Sequence, residues 1–227
     1  MAGCCWACPP THQSSEPTEL STMSEHREGI QESHLSFGDE RGASTTRPKT
    51  YSPVDEEAFR KGMRQLSAAV TIVTTGTDAK HRAGLTATAV CSVSAVPPQL
   101  LVCVNRRGEG HTRIREWRNF CINVLCHAQI GMAKRFAGKD RGAHPDRFAQ
   151  GEWGTLATGA PVLAGCLANF DCRLQQEVES GTHSIFIGEI VAISVHRGKE
   201  PLAFLDGQFL AIQTGRRVID ATSWDWS

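Results

Sequence analysis

The chain has 227 residues, its 24 Lys and Arg are balanced by 24 Asp and Glu, and 40% of its residues are hydrophobic. Zero net charge removes any bulk attraction to nucleic acid or to an anionic membrane. No run of about 18 apolar residues exists to cross a bilayer as a helix. The expected partners therefore include neither nucleic acid nor membrane.

Residues 1–50 hold only 13 residues of the apolar set and are rich in Ser, Thr, Glu, Gly and Pro. So little apolar surface cannot offset the entropy of ordering, and the segment is read as a disordered N-terminal tail. Met23 is a candidate internal start. The first ten residues lack the basic and apolar regions of a secretory signal. Cys4, Cys5 and Cys8 form a CCxxC cluster with no partner pair, a weak zinc signal. One folded domain is expected over 51–215, long enough to bury a core without disulfides.

Residues 52–66 form a candidate helix. Asp55 or Ser52 can cap it, its first turn is acidic, and Phe59, Met63 and Leu66 make an apolar stripe at i, i+4, i+7. The period then changes. Residues 69–75 are β-branched and read as a strand ending at the turn from Gly76. Strands follow at 83–94, stopped by Pro97-Pro98, and at 100–105. A short helix fits 110–117, a strand 120–125 and a second short helix 129–136. A long β-rich stretch, 164–178, is turned at Gly181 into an antiparallel partner over 183–195. Residues 202–212 supply the last strand, and 216–227 read as a short C-terminal tail. Many strands, few helices and hairpin spacing predict a mainly β fold, a closed or nearly closed antiparallel barrel with peripheral helices. A doubly wound sheet would need a strand–helix alternation that is missing.

Cys91, Cys103, Cys121, Cys126, Cys166 and Cys172 lie among Val, Leu, Ala and Ile. They read as buried reduced thiols, and with the odd total of nine they favour a cytoplasmic location. The Rossmann glycine fingerprint, the P-loop, GxSxG, HExxH and paired CxxC are all absent, and no metal site is expected.

One segment carries most of the functional signal. In residues 84–94 the odd positions are Leu85, Ala87, Ala89, Cys91 and Val93, while Thr86, Thr88, Ser92 and Ser94 stand at even positions. In a single extended strand these classes face opposite sides, giving one apolar face and one row of small hydroxyls. Such a row lets another molecule lie close and offers it hydrogen bonds. Asn105, Arg106 and Arg107, followed by His111, Arg113 and Arg115, form a nearby cationic cluster suited to an anionic tail.

The stretches Ser67–Thr75, Gly84–Ser94 with Pro97-Pro98, Leu101–Arg106, Phe120–Leu125, Phe136-Ala-Gly138, Arg147-Phe148 and Gly181-Thr-His183 occur in this order. Their conjunction resembles the short-chain flavin reductases that serve two-component flavin monooxygenases. The resemblance spans about 55–212 and implies an FMN-binding split barrel, antiparallel and Greek-key-like, usually a homodimer. It implies that NADH or NADPH reduces FMN, FAD or riboflavin, and that the reduced flavin diffuses to a separate oxygenase component. Carried over by position, Thr86, Ala87, Thr88 and Ala89 would line the isoalloxazine edge. Ser92, Val93 and Ser94 would reach the ribityl and phosphate end, and Asn105 and Arg106 would hold that tail. Phe136, Ala137 and Gly138 would close over the flavin. His183 would sit on the nicotinamide side, although Thr182 stands where many relatives have Asp. Leu210 follows Phe209 where relatives often carry His, which removes any expected role for a C-terminal imidazole. The cofactors hold the chemistry, so the protein is expected to position two rings rather than supply a catalytic acid, base or nucleophile. The competing readings are a flavin-bound electron carrier and a flavin- or haem-binding module on a similar barrel. A pyridoxamine-phosphate-type oxidase is disfavoured by the Thr-Ala-Thr-Ala and Ser-Val-Ser runs.

Overall fold

A computed structural model describes residues 51–138 and 146–212. Both expected tails lie outside these residues. The chain enters through α1 (Glu56–Met63), capped by the Asp55 carboxylate, which accepts a hydrogen bond from the Ala58 amide at 2.7 Å. The short β1 (Ala68–Ala69) leads into β2 (Thr71–Thr75), which is buried along its whole length. Next come β3 (Ala83–Ala87), β4 (Val90–Ala95) and β5 (Pro98–Asn105). Helix α2 (Glu109–Trp117), β6 (Asn119–Val124) and α3 (Ile130–Phe136) follow. The hairpin β7 (Trp153–Thr155) and β8 (Pro161–Leu163) precedes the long pair β9 (Ala168–Ser180) and β10 (His183–Val195). The chain ends with β11 (Leu202–Leu205) and β12 (Gln208–Ala211).

The seven-stranded sheet runs β3-β2-β6-β9-β10-β5-β4, with every pairing antiparallel. Its two end strands are neighbours in the chain, separated only by Thr88 and Ala89. The two edges are therefore joined by the backbone itself, and the sheet closes into a split barrel. The strand expected over 83–94 is thus two strands. Ala83–Ala87 pairs with β2 and Val90–Ala95 pairs with β5. One straight strand cannot serve both partners, so the ladder changes hands at Thr88–Ala89, where the Ala89 carbonyl accepts from the Cys103 amide at 3.0 Å.

The strand expected over 202–212 is also two, folded as a hairpin about Asp206 and Gly207. Their φ values of 48° and 79° match the twist of paired strands. The β7–β8 hairpin was not foreseen.

Two cores flank β2. Val73, Val102, Phe120, Ile122 and Phe186 fill the barrel, while Ile72, Leu125, Phe136, Phe148 and Leu163 pack on its other side. Gly188 makes the first core possible. A Cβ there would stand 2.5 Å from Phe120 Cζ, so only glycine lets that ring cross the barrel. Each of the described cysteines is a free thiol; Cys121, Cys126, Cys166 and Cys172 are buried as expected, whereas Cys91 is exposed on β4 and Cys103 is only half-buried. Burial pushes the Cys166 thiol up to about 11 and raises Cys121 and Cys172 as well, so these three stay protonated. No helix among the described residues is long and apolar enough to cross a membrane.

Candidate functional site

A cavity of about 900 Å³ opens where the barrel splits. One wall is the β3–β4 junction, Gly84 to Ala89. Another is the end of β5 at Cys103–Asn105 with the β9–β10 turn at Ser180–His183. Phe136 and Ala137 close a third side, and the apolar stripe of α1 with Phe204 makes the fourth. Among the described residues no cluster of His, Cys, Asp and Glu could hold a metal ion.

The expected site residues divide by position. Thr86, Ala87, Thr88, Ala89, Asn105, Phe136, Ala137 and His183 line the cavity. Ser92, Val93, Ser94, Arg106 and Gly138 do not. Ser92–Ser94 lie beyond the junction on β4, where a register shift interrupts the ladder and the Ser94 hydroxyl accepts from the Val96 amide at 3.1 Å. Gly138, with φ 80°, turns the chain away after α3.

The expected row of hydroxyls is also broken. Thr86 is only 6% exposed, and its Oγ1 donates to the Ala133 carbonyl at 2.7 Å, tying β3 to α3. The alternation held only for an unbroken strand. What lines the cavity past the last rung of β3 is Thr88 and Ala89, the Ala89 carbonyl being already joined to β5.

Three of the four arginines in the expected cationic cluster are compensated by carboxylates. Arg106 pairs with Glu179 at 3.0 Å, Arg115 with Glu177 at 3.0 Å, and Arg113 with Glu116 at 2.9 Å. Glu177 and Glu179 come from β9, far along the chain, so the local reading could not see them. The arginines lining the cavity are instead Arg64 and Arg147. Arg147 Nη1 donates to the Gly84 carbonyl at 2.8 Å. Its only sequence signal was the Arg147-Phe148 pair, which carried no expected role. Gly84 lets the junction approach α3, since a Cβ there would stand 2.6 Å from Phe136 Cε1. Phe136 is held in turn by edge contact with Phe148 at 5.1 Å between ring centroids.

His183 opens β10 opposite Asn105, with Nδ1 2.8 Å from the Thr182 hydroxyl. Partial burial lowers its pKa, so the imidazole is mainly neutral at pH 7. Next to it, on the opposite face of the strand, Ser184 is clamped from below. Its hydroxyl lies 2.8 Å from His111 Nε2 and donates to Glu177 Oε1 at 3.0 Å, while Arg115 holds the other carboxylate oxygen. The turn that carries His183 is therefore pinned to both α2 and β9.

The sequence matches the flavin reductase like domain family over residues 63–213. The chain belongs to this family. It is 40% identical over 161 residues to the FMN reductase (NADH) RutF of Acinetobacter baylyi, covering 71% of this chain and 84% of that protein. It is 46% identical over 151 residues to RutF 2 of Methylorubrum extorquens, covering 66% and 86%. Among solved structures it resembles the flavin reductase component of a bacterial two-component tryptophan halogenase. The TM-score is 0.64 and the identity 33%, over 70% of this chain and 98% of that one. The NADH:FAD oxidoreductase of Streptomyces globisporus matches with TM-score 0.65 and 30% identity, over 74% and 99%.

Proposed function

We propose that this flavin reductase family member takes electrons from NADH, passes them to FMN that it binds reversibly, and releases the reduced flavin to a separate flavin-dependent oxygenase. The observation that carries the reading is the β3–β4 junction. There the barrel offers backbone amides and one small hydroxyl, outside both ladders, on the wall of a cofactor-sized cavity. The residues suit a flavin, since apolar walls receive a planar ring while strand amides meet its polar edge. When bound, the flavin accepts a hydride from the nicotinamide, which needs no nucleophile from the protein.

The chain's own residues bind and orient. Amides of Thr88 and Ala89, past the last rung of β3, direct donors at the pyrimidine edge, where negative charge grows during reduction. Phe136 and Ala137 wall the ring and exclude water. Asn105 and His183 sit side by side at the cavity's far end and orient the nicotinamide, the neutral imidazole serving as a hydrogen-bonding group rather than a proton carrier. The choice of FMN and NADH follows the names of the relatives at 40–46% identity.

The test is anaerobic absorbance of the purified chain with NADH or NADPH and, in turn, FMN, FAD and riboflavin. Loss of the yellow oxidised band with catalytic protein is expected, fastest with NADH and FMN. No reduction with any flavin would sink the reading. In the same assay His183→Ala is expected to raise KM for NADH more than KM for FMN, and the reverse pattern would remove the nicotinamide role.

A homodimer and a cytoplasmic location complete the proposal. Ile193 and Val195 share one face of β10 at 53% and 64% exposure, apolar surface suited to a second copy. Light scattering after size exclusion should read twice the chain mass, and a monomer's mass would refute it. Free buried thiols are consistent with a reducing compartment, and fractionation of cells checks it.

A further inference from the structure

The β9–β10 hairpin carries His183 to the cavity on an arm that the barrel core does not reach. Leu174 and Phe186 are the core members nearest the turn on the two strands, and none of residues 175–183 is buried. What holds the arm is polar. Ser184 is 0% exposed and shares the inward face of β10 with Phe186, opposite the buried Val104 of β5. An apolar side chain there would extend the core. The chain places a hydroxyl there instead and sets His111 and Glu177 around it. The Ser184 proton goes to Glu177 Oε1, so the hydrogen in the 2.8 Å bond between Ser184 Oγ and His111 Nε2 comes from the imidazole. Glu177 Oε1 also lies 3.2 Å from His111 Nε2, and Arg115 holds Oε2 at 3.0 Å. Each bond has one direction, and the set fits one placement of the strand. At the level of the cavity, the Arg106 amide donates to the Thr182 carbonyl at 3.0 Å. Asn105, the register partner of His183, turns its side-chain oxygen back to accept from the Arg107 amide at 2.9 Å.

We propose that Ser184 is a positioning residue for the dinucleotide: through His111 and Glu177 it fixes the start of β10, so that His183 meets the nicotinamide in one orientation. The inference rests on the nicotinamide role proposed above for His183. A buried polar network whose members are all satisfied specifies one arrangement, where apolar packing tolerates several. Ser184 is the link because it adjoins His183 in the chain while its side chain points to the opposite face, away from the cavity. Flavin is held elsewhere, since the β3–β4 junction is fixed by β2 and by the bond between Ala89 and Cys103.

The experiment uses the full chain and compares Ser184→Ala, Ser184→Thr, which keeps a hydroxyl, Glu177→Leu, His183→Ala and the double variant Ser184→Ala/His183→Ala. Arg173→Ala, nearer the base of the same hairpin, is the control. KM for NADH is measured at saturating FMN and KM for FMN at saturating NADH, with a thermal midpoint for each variant. Ser184→Ala and Glu177→Leu are each expected to raise KM for NADH about fivefold and to move KM for FMN less than about twofold. Ser184→Thr and Arg173→Ala should behave as the wild type. The midpoint of Ser184→Ala should fall by about 2–4 °C. Glu177 keeps some contact with solvent, so Glu177→Leu carries the test if Ser184→Ala does not fold. In the His183→Ala background, removal of the Ser184 hydroxyl should change KM for NADH less than about twofold, because the group it positions is gone. An unchanged KM for NADH, an equal rise for FMN, or the same fivefold rise without His183 would each overturn the proposal. If His183→Ala itself left KM for NADH unchanged, the nicotinamide role beneath the proposal would be what fails.

Discussion

Two threonines, two positions apart in the chain, have different jobs. Thr86 is closed off, its hydroxyl given to the Ala133 carbonyl. Thr88 is half-buried on the cavity wall, past the last rung of the β2–β3 ladder. Thr86→Val keeps the shape and removes a buried hydrogen bond, so it should cost about 0.5–1.5 kcal/mol of stability and leave KM for FMN within about twofold, because the backbone amide remains. Thr88→Val should leave the denaturation midpoint unchanged and raise KM for FMN severalfold. Urea melts and steady-state kinetics on the two variants decide the matter, and an interchange of the two phenotypes would refute the assignment. Residue chemistry here was legible in part. Small hydroxyls over 86–94 marked the right segment of chain, but alternation placed Thr86 and Thr88 together. Only the ladder's change of partner separates them.

At the scale of elements, the buried His111 joins α2 to the β9–β10 hairpin. Burial lowers its pKa most strongly, Glu177 opposes that, and Arg115 and Arg106 reinforce it. His183 is shifted the same way by burial. A base with a lowered folded pKa takes its proton more readily when unfolded, so the unfolded chain binds more protons just below the ordinary histidine value. The stabilising contribution is therefore complete above about pH 6.5 and declines as pH falls toward the folded value. Thermal midpoints should drop as pH falls below about 6.5, and His111→Gln should flatten part of that slope, leaving the share due to His183. Equal slopes for wild type and variant would show that the clamp is not the titrating element. The members of this clamp come from three elements. The sequence shows His111 and Arg115 one helical turn apart, but not that Glu177 and Ser184 meet them. The same limit explains the strand boundaries. Residues 71–75 and 120–124 were readable because one partner on each side kept a single period, whereas Ala69, expected in the first of these strands, belongs to β1 and pairs with Ala203 of β11, and 183–195 was legible although two register shifts interrupt its ladder with β9. Residues 83–94 looked continuous because nothing local marks where β2 is exchanged for β5. The β11–β12 hairpin did carry a local signal, Asp206-Gly207, between two apolar runs.

For the whole molecule, the segment that binds is also the segment that closes the barrel. β3 and β4 are the two edges of one sheet, and Thr88–Ala89 is the only covalent step between them. Edge backbone that has left one ladder and not yet joined the next is where a closed sheet is weakest. A ligand that takes hydrogen bonds from that step completes the circuit that the strands leave open, so flavin should stabilise the folded chain as mass action requires. At a hundred times its Kd the gain is about 2.7 kcal/mol. Hydrogen exchange should localise it. Amides at 88–89 should exchange rapidly in the free protein and slow markedly with FMN, while β6 and the inner half of β9, buried in the free protein, should change little. NADH alone should protect instead near Asn105 and His183. If FMN raised the midpoint but slowed exchange only in α2 or in the β7–β8 hairpin, the junction would be a structural seam and the ligand would sit elsewhere. Protection centred on the junction would mean that the split in the barrel is held open by the fold and closed by the flavin.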